Sequence, residues 1–240
     1  MEAVMDAMVG IQPGGGGGSL RSLGYESVGL DDMWQACGKG FNGSFHDSAG
    51  SPLWNNVTFP DPVSMVAKAH SLKLKAGWCE WRLECSLCVS LTPPRACVSH
   101  GAAFAADMNN CDCMEAGLDA AFAEKIYEQS VKMLASQKWD GVKLDGCSQF
   151  HNTTKWASLM EATGRPITVE NCGNTHPPTA VPDPSWGHDG QCPYNWFRSS
   201  TDINPSWASI MNNLASTVRF QDPQNPLSKP GCWAYPEYAP

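Results

Sequence analysis

"WDGVKLDGC", residues 139–147, is the stretch that decides the fold of this chain. Apolar and charged residues alternate in it, so on a β-strand Lys143 and Asp145 share one face while Val142 and Leu144 share the other. Two opposite charges at the end of a buried strand cost free energy unless they pair with each other or meet a polar ligand. The pattern therefore predicts either a structural ion pair or a functional site.

Helix and strand patterns alternate on both sides of this stretch. A helix is predicted over residues 115–138, where Leu118, Phe122 and Ile126 recur at helical spacing. Other helices are predicted at the N-terminus and within "PDPVSMVAKAHSLKLKAGW", which runs into a strand, "TTKWASLMEATGRP" and "PSWASIMNNLAS", and other strands in "LGYESVGLDDMW", "ITVENCG" and "WFRSSTDI". Such alternation predicts a parallel sheet with helical crossovers, whose chemistry in a barrel sits at the carboxyl ends of the strands. A doubly wound open sheet would also alternate, but the chain lacks the phosphate-binding glycine pattern after a strand.

The composition is that of one large folded domain. The chain has 240 residues, of which 42% are hydrophobic and 17% charged. Its net charge of -8 argues against a nucleic-acid or anionic-membrane partner, because either would need a basic patch. It has no run of eighteen apolar residues and no signal-peptide pattern. Residues 1–19 are predicted to end irregularly, because "QPGGGGGS" cannot continue a helix.

Eleven cysteines are many for a cytosolic protein and favour an oxidising compartment. Three N-glycosylation sequons, which fit an exposed secreted surface, begin at Asn42, Asn56 and Asn152. A cysteine-rich metal-binding protein is the alternative, and it would use Cys85, Cys88, Cys111 and Cys113. Their spacing is not that of a zinc module, so we predict no metal and no cofactor.

Two carboxylates flanking a glycosidic bond suffice for sugar hydrolysis, and Asp145 and Asp202 are the best candidates. The positive charge of Lys143 would favour the carboxylate form of Asp145, as a nucleophile needs, while Asp202 would keep its proton through partial burial or through proximity to Asp145. Arg198 lies four residues before Asp202, roughly 13 Å away on an extended strand at about 3.3 Å per residue, so we expect it not to pair tightly with Asp202. The alternative is that both aspartates are helix caps or structural ion-pair members.

Five motifs occur in order over residues 20–238: "LGYESVGLDDMWQ", "HSLKLKAGW", "WDGVKLDGC", "CPYNWFRSSTDI" and "PGCWAYPEY". With them the chain resembles glycoside hydrolase family 27, the α-galactosidases and α-N-acetylgalactosaminidases. The resemblance implies a (β/α)8 TIM-type barrel and retaining hydrolysis of terminal α-linked D-galactose. It also implies an α-galactoside carbohydrate as partner, no cofactor, and a secreted, lysosomal or vacuolar location.

The resemblance also assigns roles to single residues. Asp145 matches the nucleophile and Asp202 the acid/base. The residues that match contacts to the sugar hydroxyls are Asp31, Asp32, Lys143 and Arg198, with Glu237 standing where the family has an aspartate. Two disulfides are implied, one joining Cys147 to Cys113 or Cys111 and one joining Cys172 to Cys192; the alternative is that these cysteines are free buried thiols.

The chain also departs from the family pattern. Residues 79–107 separate "GW" from "MNNCDC" and are predicted to be an irregular insertion, because they contain adjacent prolines and no sustained period. The first strand, the eighth strand and the C-terminal β-domain of the family are not found, so we expect a single, incomplete barrel domain over residues 1–240. An incomplete barrel exposes strand edges, which leaves a catalytically impaired sugar-binding remnant as an alternative. An α-N-acetylgalactosaminidase is the other alternative, because the residues around "ENCGNTHPP" that would face the 2-substituent of the sugar do not align cleanly with the family.

Overall fold

The computed structural model describes residues 1–10, 18–30, 34–76, 105–107, 118–145, 150, 152–172, 192–224 and 226–236. Helices and strands alternate along this part of the chain. The described helices are α1 (Glu2–Val9), α2 (Pro62–Ser71), α3 (Ala120–Ser136), α4 (Thr153–Ala162) and α5 (Trp207–Ser216). The described strands are β1 (Ser27–Val28), β2 (Lys75–Ala76), β3 (Ala105–Asp107), β4 (Gly141–Leu144), β5 (Thr168–Asn171), β6 (Trp196–Arg198) and β7 (Trp233–Tyr235).

The strands are parallel and follow one another in sequence order. β1 pairs with β2, and β3 to β7 form a five-stranded sheet in the order β3-β4-β5-β6-β7. Helices α2, α3, α4 and α5 each lie in the chain between two successive strands. Parallel strands in consecutive order with helical crossovers are the winding of a β/α-barrel, and within the described residues that barrel is not closed. The predicted fold class, an α/β protein with an incomplete TIM-type barrel, is confirmed.

Side-chain caps determine where four of the helices begin. α3 starts at residue 120 rather than at the predicted 115, because the Asp119 carboxylate accepts a hydrogen bond of 2.9 Å from the backbone N–H of Phe122. A cap of this kind satisfies one of the N–H groups that have no partner inside the helix. The other capping residues are Asp61, Asn152 and Ser206.

The main core lies between the sheet and its helices. Val142 and Leu144 on β4 are buried, as the alternation predicts, and they belong to the same apolar cluster as Ile126 of α3. Trp156 of α4 is fully buried, and its indole N–H donates to the Phe150 carbonyl at 3.0 Å. The β4 face that carries Val142 is therefore committed to packing, which leaves the opposite face for Lys143 and Asp145.

Two boundaries differ from the predictions. The strand predicted in "WFRSSTDI" ends already at Arg198. Residues 105–107, at the end of the predicted insertion, form β3 and pair with β4, with Asp107 opposite Lys143. These three residues belong to the sheet, and an alanine-rich run gives no strand signal that the sequence could reveal. Residues 77–104 lie outside the described residues, so for them the insertion stays a prediction.

The described helices were also compared with the requirements of a membrane span. None of them is long and apolar enough to cross a bilayer.

Candidate active site

The carboxyl ends of β4, β5, β6 and β7 meet along one edge of the sheet. Lys143 is the register partner of Glu170, and Arg198 is the register partner of Tyr235. Glu170 in turn pairs with Trp196, two residues before Arg198, so these side chains project from one face of the sheet. Asp145, two residues beyond Lys143, follows the same parity. Four strands therefore bring charged and phenolic groups to one place.

Lys143 and Asp145 form an ion pair in this site. The Lys143 Nζ lies 3.5 Å from the Asp145 Oδ2, and the two side chains are 16% and 17% exposed. They are sheltered enough for the attraction to act through a medium less polar than water, yet a small ligand can still reach them. Lys143 and Asp145 in "VKLDGC" thus pair with each other and remain accessible to a small ligand.

Arg198 and Asp202 also form an ion pair, which corrects the prediction that they do not pair tightly. The Arg198 Nη1 donates to the Asp202 Oδ1 at 2.6 Å. The predicted separation of the two residues assumed an extended chain, whereas β6 ends at Arg198 and residues 199–202 continue without strand structure. The Asp202 side chain is 87% exposed, so it is not partly buried as one of the two sequence-based explanations requires.

Glu170 and Tyr235 belong to the same site and were missed by the sequence reasoning. The Tyr235 hydroxyl donates a hydrogen bond to Glu170 Oε1, and each residue is only 7% exposed. A carboxylate inside the apolar strand "ITVEN" is the same signal that drew attention to Lys143. Its partner, however, lies 65 residues away along the chain, where no local pattern points to it.

The structure corrects the predicted disulfide between Cys172 and Cys192. Cys192 is bonded to Cys232, with a Cα–Cα distance of 5.9 Å, and Cys172 is a buried free thiol. The strand directions explain this result: Cys172 follows the carboxyl end of β5, whereas Cys192 and Cys232 precede β6 and β7 at the amino end of the sheet. Parallel strands keep opposite ends of the sheet about 10 Å apart or more, beyond the reach of a disulfide.

The pKa of the Cys172 thiol depends on its burial and on several charged side chains of the site. Burial raises the pKa of this thiol far above its ordinary value. The charges of Lys143, Glu170, Arg198 and Asp145 act on the same pKa, the two cations lowering it and the two anions raising it. Four charged side chains, on or directly after β4, β5 and β6, therefore act electrostatically on one thiol, which stays protonated at neutral pH.

The other predicted site residues lie outside the described residues. These are Asp31, Asp32, Glu237, Cys113 and Cys147. Their roles stay predictions.

A cavity of about 500 Å³ lies elsewhere in the molecule. It is lined by residues that include Met160 on α4, Val169 on β5 and Tyr194 before β6. This places it toward the amino ends of the strands, away from Asp145, and it is distinct from the candidate active site.

Comparison with known proteins identifies the family of this chain. The family model described as alpha galactosidase A (Melibiase_2) matches residues 99–239, more than half of the chain. The chain therefore belongs to this family. It is 29% identical to the α-N-acetylgalactosaminidase of Rattus norvegicus over 224 residues, covering 90% of this chain and 45% of that protein.

Two further matches extend the comparison. The chain is 26% identical to an α-galactosidase of Oryza sativa subsp. japonica over 205 residues, covering 79% of this chain and 40% of that protein. The solved structure of an α-galactosidase from Saccharomyces cerevisiae superposes with a TM-score of 0.50 at 17% identity, covering 85% of this chain and 36% of that one. This structural match supports the fold. The chain spans a little under half the length of the curated relatives that it matches.

Proposed function

We propose that this protein is a retaining glycoside hydrolase that removes terminal α-linked D-galactose from oligosaccharides or glycoconjugates. The observation that carries the proposal is the Lys143–Asp145 ion pair at the carboxyl end of β4, in a chain of the alpha galactosidase A family. A carboxylate held by an ammonium group at the end of a barrel strand is suited to act as a nucleophile. The names of the relatives supply the sugar class.

Asp145 acts as the nucleophile in this proposal. Its carboxylate attacks the anomeric carbon and forms a glycosyl-enzyme ester, while the leaving oxygen takes a proton from Asp202. Asp202 then removes a proton from the water that hydrolyses the ester. Because Asp202 must give up a proton in the first step, its ion pair with Arg198 has to open. A sugar hydroxyl that takes over the Arg198 N–H donors would open it.

A second candidate is hydrolysis of α-linked N-acetylgalactosamine. Several of the matched relatives carry the name α-N-acetylgalactosaminidase. The two activities share the proposed nucleophile and acid/base and differ in the group at C2 of the sugar. Parallel assays of one aryl α-galactoside and the matching aryl α-N-acetylgalactosaminide would separate them through their kcat/KM values.

The test of the proposed function is turnover of an aryl α-galactoside with a good leaving group by the full chain. We expect Asp145→Asn to abolish turnover, and Asp202→Asn to lose about 10²–10⁴-fold in activity and to regain part of it when azide is added. Asp222→Asn is the matched control, because Asp222 is exposed and, among the residues that the structure describes, its carboxylate is seen to accept the N–H of Gln224. If both site variants hydrolyse the substrate like the parent, the sugar-binding remnant is the better assignment.

A further inference from the structure

The hydrogen bond between Tyr235 and Glu170 joins two strands that are not neighbours. Glu170 lies on β5 and Tyr235 on β7, and β6 runs between them in the sheet. The bond therefore spans β6 on the face from which Trp196 and Arg198 project. It crosses the strand that carries the Arg198 guanidinium.

Tyr235 also holds the backbone next to Arg198. Its carbonyl oxygen accepts the Ser199 N–H at 2.8 Å and the Ser199 hydroxyl at 2.9 Å. Tyr235 thus fixes the end of β6 through its backbone at Ser199, while its phenol passes across the face of β6 to Glu170. Arg198, which is only 8% exposed, lies between these two attachments.

Glu170 also acts on Arg198 through its negative charge. Glu170 and Arg198 both act electrostatically on the Cys172 thiol, so their charged groups lie near the same atom. Burying a guanidinium is costly unless a negative charge compensates for it, and the ion-pair partner of Arg198, Asp202, is largely exposed to water. The buried Glu170 carboxylate is the anion that stays in place when Asp202 leaves the ion pair.

We propose that Glu170 and Tyr235 are positioning residues that hold the Arg198 guanidinium in the orientation in which it binds a sugar hydroxyl. An arginine has four rotatable side-chain bonds, and a binding site gains affinity when such a side chain is fixed in advance. The role rests on the proposed function, because it concerns the binding of that same sugar. It requires no contact between Tyr235 and the substrate.

The kinetic test uses Tyr235→Phe, which removes the hydroxyl and keeps the ring. We expect KM for the aryl α-galactoside to rise about tenfold with kcat nearly unchanged, because the lost orientation affects bound substrate and transition state equally. In an Arg198→Ala background the same substitution should have no further effect on KM, since its target is gone. The matched control is Tyr127→Phe. Tyr127 lies on α3, outside the site, and the substitution removes a buried hydroxyl that accepts the Asn152 N–H. Additive KM effects in the double variant would overturn the proposal.

A second readout needs no turnover and separates this proposal from failure of the proposed function. The Arg198 Nε–H signal, assigned by its loss in Arg198→Lys, reports the order of the guanidinium in a ¹H–¹⁵N spectrum of the sugar-free protein. The signal should shift or broaden in Tyr235→Phe and also in Glu170→Gln, which keeps an acceptor for the phenol but removes the negative charge, and it should stay unchanged in Tyr127→Phe. An Arg198 signal identical in Tyr235→Phe and wild type overturns the positioning role, whether or not the protein hydrolyses galactosides.

Discussion

Each charged side chain in the site meets a partner, and the partners differ in their contact with water. Lys143 pairs with a sheltered Asp145, and Glu170 accepts from a buried phenol. Arg198 pairs with an aspartate that water surrounds, so solvent weakens this attraction far more than it weakens the other two contacts. Of these three contacts the Arg198–Asp202 pair is therefore the one that opens at least cost, as the acid/base role proposed for Asp202 requires.

Cys172 gives a pH prediction at the scale of one residue. Burial raises the pKa of its thiol in the folded protein, so the stability that its neutral form contributes is present below the unfolded value of about 8.5 and is lost as the pH rises above it. We expect the free energy of unfolding of wild type to fall more steeply between pH 8.5 and pH 10 than that of Cys172→Ala, by up to about 1.4 kcal/mol per pH unit. Urea denaturation of both proteins at several pH values measures this difference, and parallel curves would contradict it.

How much of the site the sequence reveals depends on the distance between partners. Lys143 and Asp145 lie two residues apart, so strand alternation alone places them together. Glu170 and Tyr235 meet through the sheet, and only knowledge of strand order brings them into contact. The distance predicted between Arg198 and Asp202 holds for an extended strand. It is wrong here because β6 ends at Arg198 and a loop follows, and the sequence does not mark where β6 ends.

At the scale of elements, helix starts are encoded locally. The Asp119 side chain caps α3, and we expect Asp119→Ala to lower the free energy of unfolding by about 1 kcal/mol, because the Phe122 N–H loses its acceptor. Glu128→Ala, an exposed acid in the middle of the same helix, is the control and should change it by less than about 0.5 kcal/mol. Equal effects of the two substitutions in urea denaturation would show that the cap contributes nothing.

Helix α5 reverses the usual distribution of side chains. Its buried residue is Asn213, whose side-chain oxygen accepts from the Ser200 hydroxyl. An apolar row at helical spacing is exposed instead; it consists of Trp207, Met211 and Leu214, and the exposed Val218 continues it just beyond the helix. The sequence predicts that α5 exists, but its apolar spacing would indicate the wrong buried face.

This reversal predicts an unusual pair of mutational effects. Asn213→Ala should destabilise the protein by about 1–3 kcal/mol, because the Ser200 hydroxyl loses its buried acceptor. Leu214→Ala, next to it in sequence and 53% exposed, should cost well under that, about 0.5 kcal/mol or less. If the leucine substitution is the more damaging one, α5 packs through its apolar row.

At the scale of the whole molecule, the order of the strands follows from the sequence because each β/α unit is local. Helix and strand alternate within about forty residues, so periodicity and turn residues suffice to predict a consecutive parallel sheet. Contacts between units are not local. The bond from Cys192 to Cys232 joins the approaches to β6 and β7 across the whole of α5, and the predicted partner of Cys192, Cys172, lies at the wrong end of the sheet.

This disulfide should contribute strongly to global stability. It closes a loop with a sequence separation of 40 residues, for which chain entropy gives about 4 kcal/mol, within a usual range of about 2–5 kcal/mol. We expect the double variant Cys192→Ser, Cys232→Ser to lose that much free energy of unfolding in urea. The control is Cys172→Ser, which alters a buried but unbonded cysteine and should show no change in sensitivity to reducing agent. If a reductant destabilises the wild type more than the double variant, the difference resides in this bond, since Cys37 is also disulfide-bonded and responds in both proteins. If the double variant is as stable as oxidised wild type, the β6 and β7 strands hold together without the bond.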